Sequence, residues 1–151
     1  MIYIGADHRG YALKEALKAY LLLRGFQVED CGAHELNIDD DYPDFASIVA
    51  EKVSENPAEH CGVSICGSGH GMDIVANKYK GVRAALCFNA GVAKQSREHE
   101  DANVLMLASD WLKERDAKEV LNIWLEAQFD GAERNVRRLR KIREVEEKNF
   151  K

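Results

Sequence analysis

The chain has 151 residues, of which 46% are apolar, and 21 Lys and Arg stand against 26 Asp and Glu for a net charge of −5. The length suits one domain, residues 1–151, with a sizeable core, and the acidic balance argues against nucleic acid or an anionic membrane surface as partner. No apolar run approaches the ~20 residues that cross a bilayer, the opening MIYIGADHRG turns polar too soon for a signal peptide, and four cysteines without a C-x-x-C pair point to a reducing, cytoplasmic setting.

Short apolar runs alternate with longer helical patterns. Ile2 to Ala6 predicts strand one, and Ala12, Ala16, Leu17 and Tyr20 recur at helical spacing until Gly25. Phe26 to Cys31 predicts strand two, followed by the polar loop AHELNIDDDYPD and a helix over Phe45 to Val53. Cys61 to Cys66 is strand three, Met72 to Lys78 lies in a helix, Val82 to Cys87 is strand four, and Gly91 to Arg97 is helical. Val104 to Ala108 is strand five, Ala117 to Phe129 an amphipathic helix, and a last helix runs from about Glu133 to the end. Strand–helix alternation of this kind predicts an α/β fold: three α/β/α layers around a five-stranded parallel sheet, with right-handed crossovers and an extended C-terminal helix.

In such sheets ligands bind beyond the carboxyl ends of the strands. That rule marks Gly5 to Arg9, Cys66 to Gly71, and the region after strand four that leads to His99. The segment CGSGHG lacks the Gly-Lys-Ser/Thr of a Walker loop; its glycines at 67, 69 and 71 alternate instead. Alternate glycines let successive backbone N–H groups turn inward, and at a helix start they form an anion cradle. A thiol there should have a lowered pKa, and a thiolate beside an oxyanion cradle suits proton abstraction next to a carbonyl. The bland alternative is a tight turn with a buried structural cysteine; three glycines directly after Cys66 favour chemistry. Asp7-His8-Arg9-Gly10 reads equally as a site loop or as a helix cap with an exposed histidine. The run from Ser96 to Asp101 has the look of a solvated face. On the last helix Arg134 and Arg138 share a face, while Val136, Leu139, Ile142 and Val145 recur every third residue and can dock on protein. Cys61 and Cys66 should face opposite sides of their strand, and the histidines at 8, 34, 60, 70 and 99 match no zinc spacing.

The stretches GADHRGYALKEAL, DYPDFA, ICGSGHGMDIVANKYKGVRAALC, SREHEDANVL and FDGAERNVRRLRKI, in this order, resemble the type B ribose-5-phosphate isomerase family, which also takes in the two-subunit galactose-6-phosphate isomerases. The resemblance implies a Rossmann-like fold, aldose–ketose isomerisation of a sugar phosphate through an enediolate without metal or cofactor, and a homodimer or dimer of dimers with shared active sites, the C-terminal helix about 133–150 packing on the partner. It implies roles as well: Cys66 as the base, Gly67, Ser68, Gly69, His70 and Gly71 around the enediolate oxygens, and His99 and Asp7 in ring opening. Tyr42 would line the sugar site, and His8, Arg134 and Arg138 would bind phosphate. Ser68 stands where the family usually has threonine. Four positions depart further: Glu100 replaces an asparagine that contacts the sugar, Asp73 a small hydroxyl residue, Asp110 a phosphate-binding arginine, and Asn135 a histidine. A misplaced charge costs on the order of 1–4 kcal/mol. The expected reaction is therefore ribose 5-phosphate to ribulose 5-phosphate, with a hexose 6-phosphate, or a non-catalytic sugar-phosphate module, as alternatives.

Overall fold

Three apolar runs, β1 (Ile2–Ala6), β3 (Cys61–Cys66) and β5 (Val104–Ala108), lie side by side at the centre of one parallel sheet in the computed structural model, which describes residues 1–150. Strands covered on both faces need apolar side chains on both, which is why these three runs show no alternation. The edges are β2 (Val28–Asp30) beside β1 and β4 (Ala84–Leu86) beside β5, giving the order β2-β1-β3-β5-β4. Both edge strands are shorter than the apolar runs that announce them, because each has a ladder partner on one side alone.

Helices α1 (Tyr11–Leu23), α4 (Ala90–Glu100) and α5 (Glu114–Glu126) cover one face, and α2 (Tyr42–Glu55) and α3 (His70–Ala76) the other. Cys61 and Cys66 indeed belong to opposite layers. The α1 stripe is Leu13, Leu17 and Leu21, so the apolar periodicity of Ala12, Ala16 and Tyr20 runs one position off the true face. Lys14 also turns inward, 0% exposed, where its ammonium meets both oxygens of Asp30 at 2.8 Å and Glu15 at 2.7 Å. Burial alone would raise the Asp30 pKa; Lys14 and Lys18 outweigh it and hold the carboxyl at about 2. This ion cluster ties β2 to α1.

The last helix, α6 (Glu133–Asn149), leaves the layers. Its start is tied to the end of α4, where the Asp130 amide donates to Glu98 O at 3.0 Å, and near its end Glu146 accepts from the Gly81 amide just before β4. Both anchors lie at the amino ends of the strands. Leu139 is buried, but Val136, Ile142 and Val145 of the same seam remain exposed. Among the described residues no helix is long and apolar enough to cross a membrane.

Candidate active site

Cys66 closes β3, and the chain turns at once into α3. Gly69 makes that turn with φ 78°, a left-handed conformation that favours glycine; a Cβ there would also collide with Leu86. Cys66 is buried, and the backbone N–H groups of Met72, Gly69 and Ser68 lie near enough to its sulfur to favour the thiolate. The turn built on these glycines thus brings N–H groups to the sulfur. Its effect on the thiol is smaller than expected: burial pushes the Cys66 pKa up, the three amides pull it down, and burial wins. Ser68 Oγ accepts from the His70 amide at 3.3 Å, and the His70 side chain is exposed. The Tyr42 ring lies against Gly71, where a Cβ would stand 2.5 Å from it. Asp73 sits in the first turn of α3; its Oδ1 is buried without a partner among the described residues, and burial raises its pKa to about 6, only partly offset by His70.

The loop after β1 brings three charged side chains to the same edge. Asp7, buried, accepts from the Arg9 and Gly10 amides at 3.0 Å, so one of its oxygens holds the turn just ahead of α1. His8 is half-buried, so the loop is not a helix cap with an exposed histidine. His8 donates its backbone N–H to Asp40 Oδ1 at 3.0 Å, and its ring Nδ1 lies 2.6 Å from the same oxygen. That bond to Asp40 raises the His8 pKa. The Arg9 guanidinium pairs with Asp110 and lies over Gly67. Ligand atoms of Asp7, His8 and Asp40 fall within 4.8 Å of one another, the spacing of a metal site. Asp40 Oδ1 already bonds His8, however, and Asp7 Oδ1 takes two amides of its own loop, which describes an anchor between the loops.

The remaining predicted residues gather elsewhere. His99 is the penultimate residue of α4, and α4 runs antiparallel to the sheet, so His99 lies at the amino edge and not beside the β4 carboxyl end. A six-residue strand, about 20 Å long, separates that edge from Cys66. His99 and Arg134 lie near Asp130, whose pKa is lowered chiefly by the Ala132 amide and by Asn135. Buried Asn135 donates to both Asp130 oxygens at 2.9 and 3.1 Å and accepts from Arg138 Nη1 at 3.3 Å. The departure at 135 is thus a bridge between the 130 loop and the basic helix. Glu100 is exposed next to His99, and among the described residues no ion pair joins it to α6. One chain therefore holds the predicted residues in two groups, at opposite edges of the sheet. Cys66 lines neither groove beneath α6 nor the pocket between residues 33–37 and α2.

Arg9 and Asp40 escaped the sequence reading as site residues, while Asp110 entered it only as an acid in place of a phosphate-binding arginine. Arg9 carried a signal, since it stands inside a marked loop; Asp40 was one of five acids in a turn-rich stretch, and nothing local singles it out.

A model of the ribose/galactose isomerase family matches residues 2–142. The chain is 40% identical over 141 residues to a probable ribose-5-phosphate isomerase B of Mycoplasma genitalium, covering 93% of this chain and 92% of that protein. It is 38% identical over 147 residues to ribose-5-phosphate isomerase B of Escherichia coli, covering 97% of each. Among solved structures, the M. genitalium ribose-5-phosphate isomerase B with bound ribulose-5-phosphate superposes with a TM-score of 0.94 at 40% identity, covering 97% of this chain and 95% of that one. The Clostridium thermocellum ribose-5-phosphate isomerase B gives 0.92 at 44% identity, with 97% of each chain covered.

Proposed function

The chain belongs to the ribose/galactose isomerase family, and from that membership we propose that it interconverts ribose 5-phosphate and ribulose 5-phosphate by proton transfer through an enediolate. Cys66 is the base. As thiolate it takes the proton from C2 of the open-chain aldose, the electron pair passes into an enediolate, and the thiol returns the proton to C1 to give the ketose. No net oxidation occurs, so the chain itself needs to supply only a base, a cradle for the oxyanion and a grip on the phosphate.

The observation that carries this reading is the set of three backbone N–H groups directed at one sulfur at a strand's carboxyl end. Those amides stabilise the thiolate, and Gly67 to Gly71 offer further N–H groups to the enediolate oxygens. Tyr42 lines the sugar, Ser68 donates its free hydroxyl proton, and His8, charged through Asp40, grips the phosphate. His99 opens the sugar ring with help from Asp7, and Arg134 and Arg138 close on the phosphate.

The last three basic residues stand at the far edge of the sheet, so the reading requires a homodimer or a dimer of dimers in which α6 and His99 of one copy complete the cradle of another. The exposed apolar seam of α6 supports that arrangement, since a helix docked fully on its own chain would bury it. Four free cysteines are in keeping with a reducing, cytoplasmic setting.

The test is turnover of ribose 5-phosphate in heavy water, followed by NMR. Deuterium should appear at C1 of ribulose 5-phosphate, and Cys66→Ala should lower turnover by about a hundredfold or more while retaining ligand binding. A higher kcat/KM for allose or galactose 6-phosphate would move the substrate to the hexoses; no turnover of any aldose phosphate would leave a binding module.

A further inference from the structure

Two residues at the carboxyl edge are used by nothing above: Arg9 and Asp110. We propose that Arg9 contacts the phosphate group of the substrate, and that Asp110 is the positioning residue that holds its guanidinium over the cradle. The inference rests on the sugar-phosphate reading of the same site.

Ordinarily an exposed arginine–aspartate pair contributes little and carries no message. This pair differs in where it is fastened. The Ser109 amide donates to Cys66 O at 2.9 Å and the Asp110 amide to Gly67 O at 3.0 Å, so the loop after β5 is bolted to the first peptide of the cradle. Ser109 Oγ lies 2.9 Å from Arg9 O and 3.2 Å from Cys66 O, joining the loops after β1, β3 and β5. The Asp110 carboxylate is thereby fixed at the cradle, and it fixes Arg9 in turn.

The guanidinium then occupies space that only a glycine leaves open. A Cβ at Gly67 would fall 2.5 Å from Arg9 Nε and 2.7 Å from Nη1. Gly67 has no positive φ among the backbone values, so close approach of Arg9, and not an unusual backbone conformation, is what the missing side chain permits.

Charge points the same way. Asp7, Asp40, Asp73 and Asp110 all stand at this edge, where Arg9 is the permanent cation and His8 has a raised pKa. A dianionic phosphate drawn to that edge needs every positive group it can reach. Among the described residues Arg9 gives Nη2 to Asp110, while Nε and Nη1 have no protein acceptor, and 54% of the side chain is exposed. Donors of a planar fork, already oriented by a fixed carboxylate, bind phosphate with little further loss of freedom.

The experiment compares ribose 5-phosphate with unphosphorylated ribose or allose, and adds inorganic phosphate as a competitive inhibitor. Arg9→Ala should raise KM for ribose 5-phosphate and the inhibition constant of phosphate together, by about tenfold to a hundredfold. The unphosphorylated sugar should be turned over as before, and the thermal midpoint should stay put. Equal losses on both sugars, or an unchanged phosphate constant, would overturn the assignment. Removing Arg9 also leaves Asp110 unpaired beside the phosphate, so Arg9→Ala/Asp110→Ala is the needed companion. It should keep the raised KM; recovery of the parent KM would trace the defect to an orphaned carboxylate and sink the proposal. Failure of the parent protein to turn over ribose 5-phosphate would instead sink the isomerase reading, a separate result.

Discussion

At the carboxyl edge, loops after β1, β3 and β5 meet in hydrogen bonds that fix Cys66, its amides, His8 and Arg9 against one another. At the amino edge, His99, Arg134 and Arg138 gather around Asp130 and Asn135 on the ends of α4 and α6, and much of that helix stays exposed. The first half is finished inside one chain. The second has its polar groups arranged but its apolar seam uncovered. The difference teaches that order within one chain can be reached without covering every apolar face, and the proposed dimer is what would cover this one.

The strongest way to break that comparison is complementation. Cys66→Ala and His99→Asn should each lower kcat by about 10²- to 10⁴-fold. Mixed and allowed to exchange subunits, the two inactive proteins should recover about a quarter of the parent activity, because half the dimers then carry one intact site. Recovery of nothing would mean that the two halves do not serve one site across copies.

A smaller effect sharpens the carboxyl half alone. The Asp40 bond raises the His8 pKa, so imidazolium, and with it the phosphate grip, persists above the usual value near 6.5 and is lost as pH rises through the raised one. The groups facing His8 are Asp40, Asp7 and Arg9. Asp40→Asn removes the charge and should shift the rise of KM with pH to lower pH, leaving kcat at low pH unchanged. A pH profile identical to the parent's would show that His8 does not carry the grip.

Smallest in expectation is Asp73. Burial raises its pKa to about 6, so the folded state holds this proton more tightly than the unfolded chain does. The penalty for ionising it is absent below the ordinary carboxylate value, grows through about 6 and is complete above that. Asp73→Asn should therefore stabilise by about 1 kcal/mol after solvent screening, or 2–4 °C, at pH 8. It should do nothing at pH 4. An equal gain at both pH values would point to packing as the cause.

The three central strands were legible to the residue, because a strand buried on both faces has to be apolar throughout. The edge strands and the α1 stripe were not. Half-paired strands tolerate shorter ladders, and the true stripe includes Lys14, whose inward turn depends on Asp30 from β2. The cradle was legible through its glycines. The direction of the Cys66 shift was not, since amides pull one way and burial the other, and burial is a property of the packed molecule.

By itself the sequence determined the alternation of strand and helix, the glycine turn behind Cys66 and the basic face of α6, for these are local consequences of side-chain size, spacing and charge. Only the tertiary structure decided that α4 carries His99 away from Cys66, that Asp40 charges His8, and that Asp110 draws Arg9 over Gly67. Each joins residues distant along the chain, and no local pattern can record a distance that the crossovers of the sheet create.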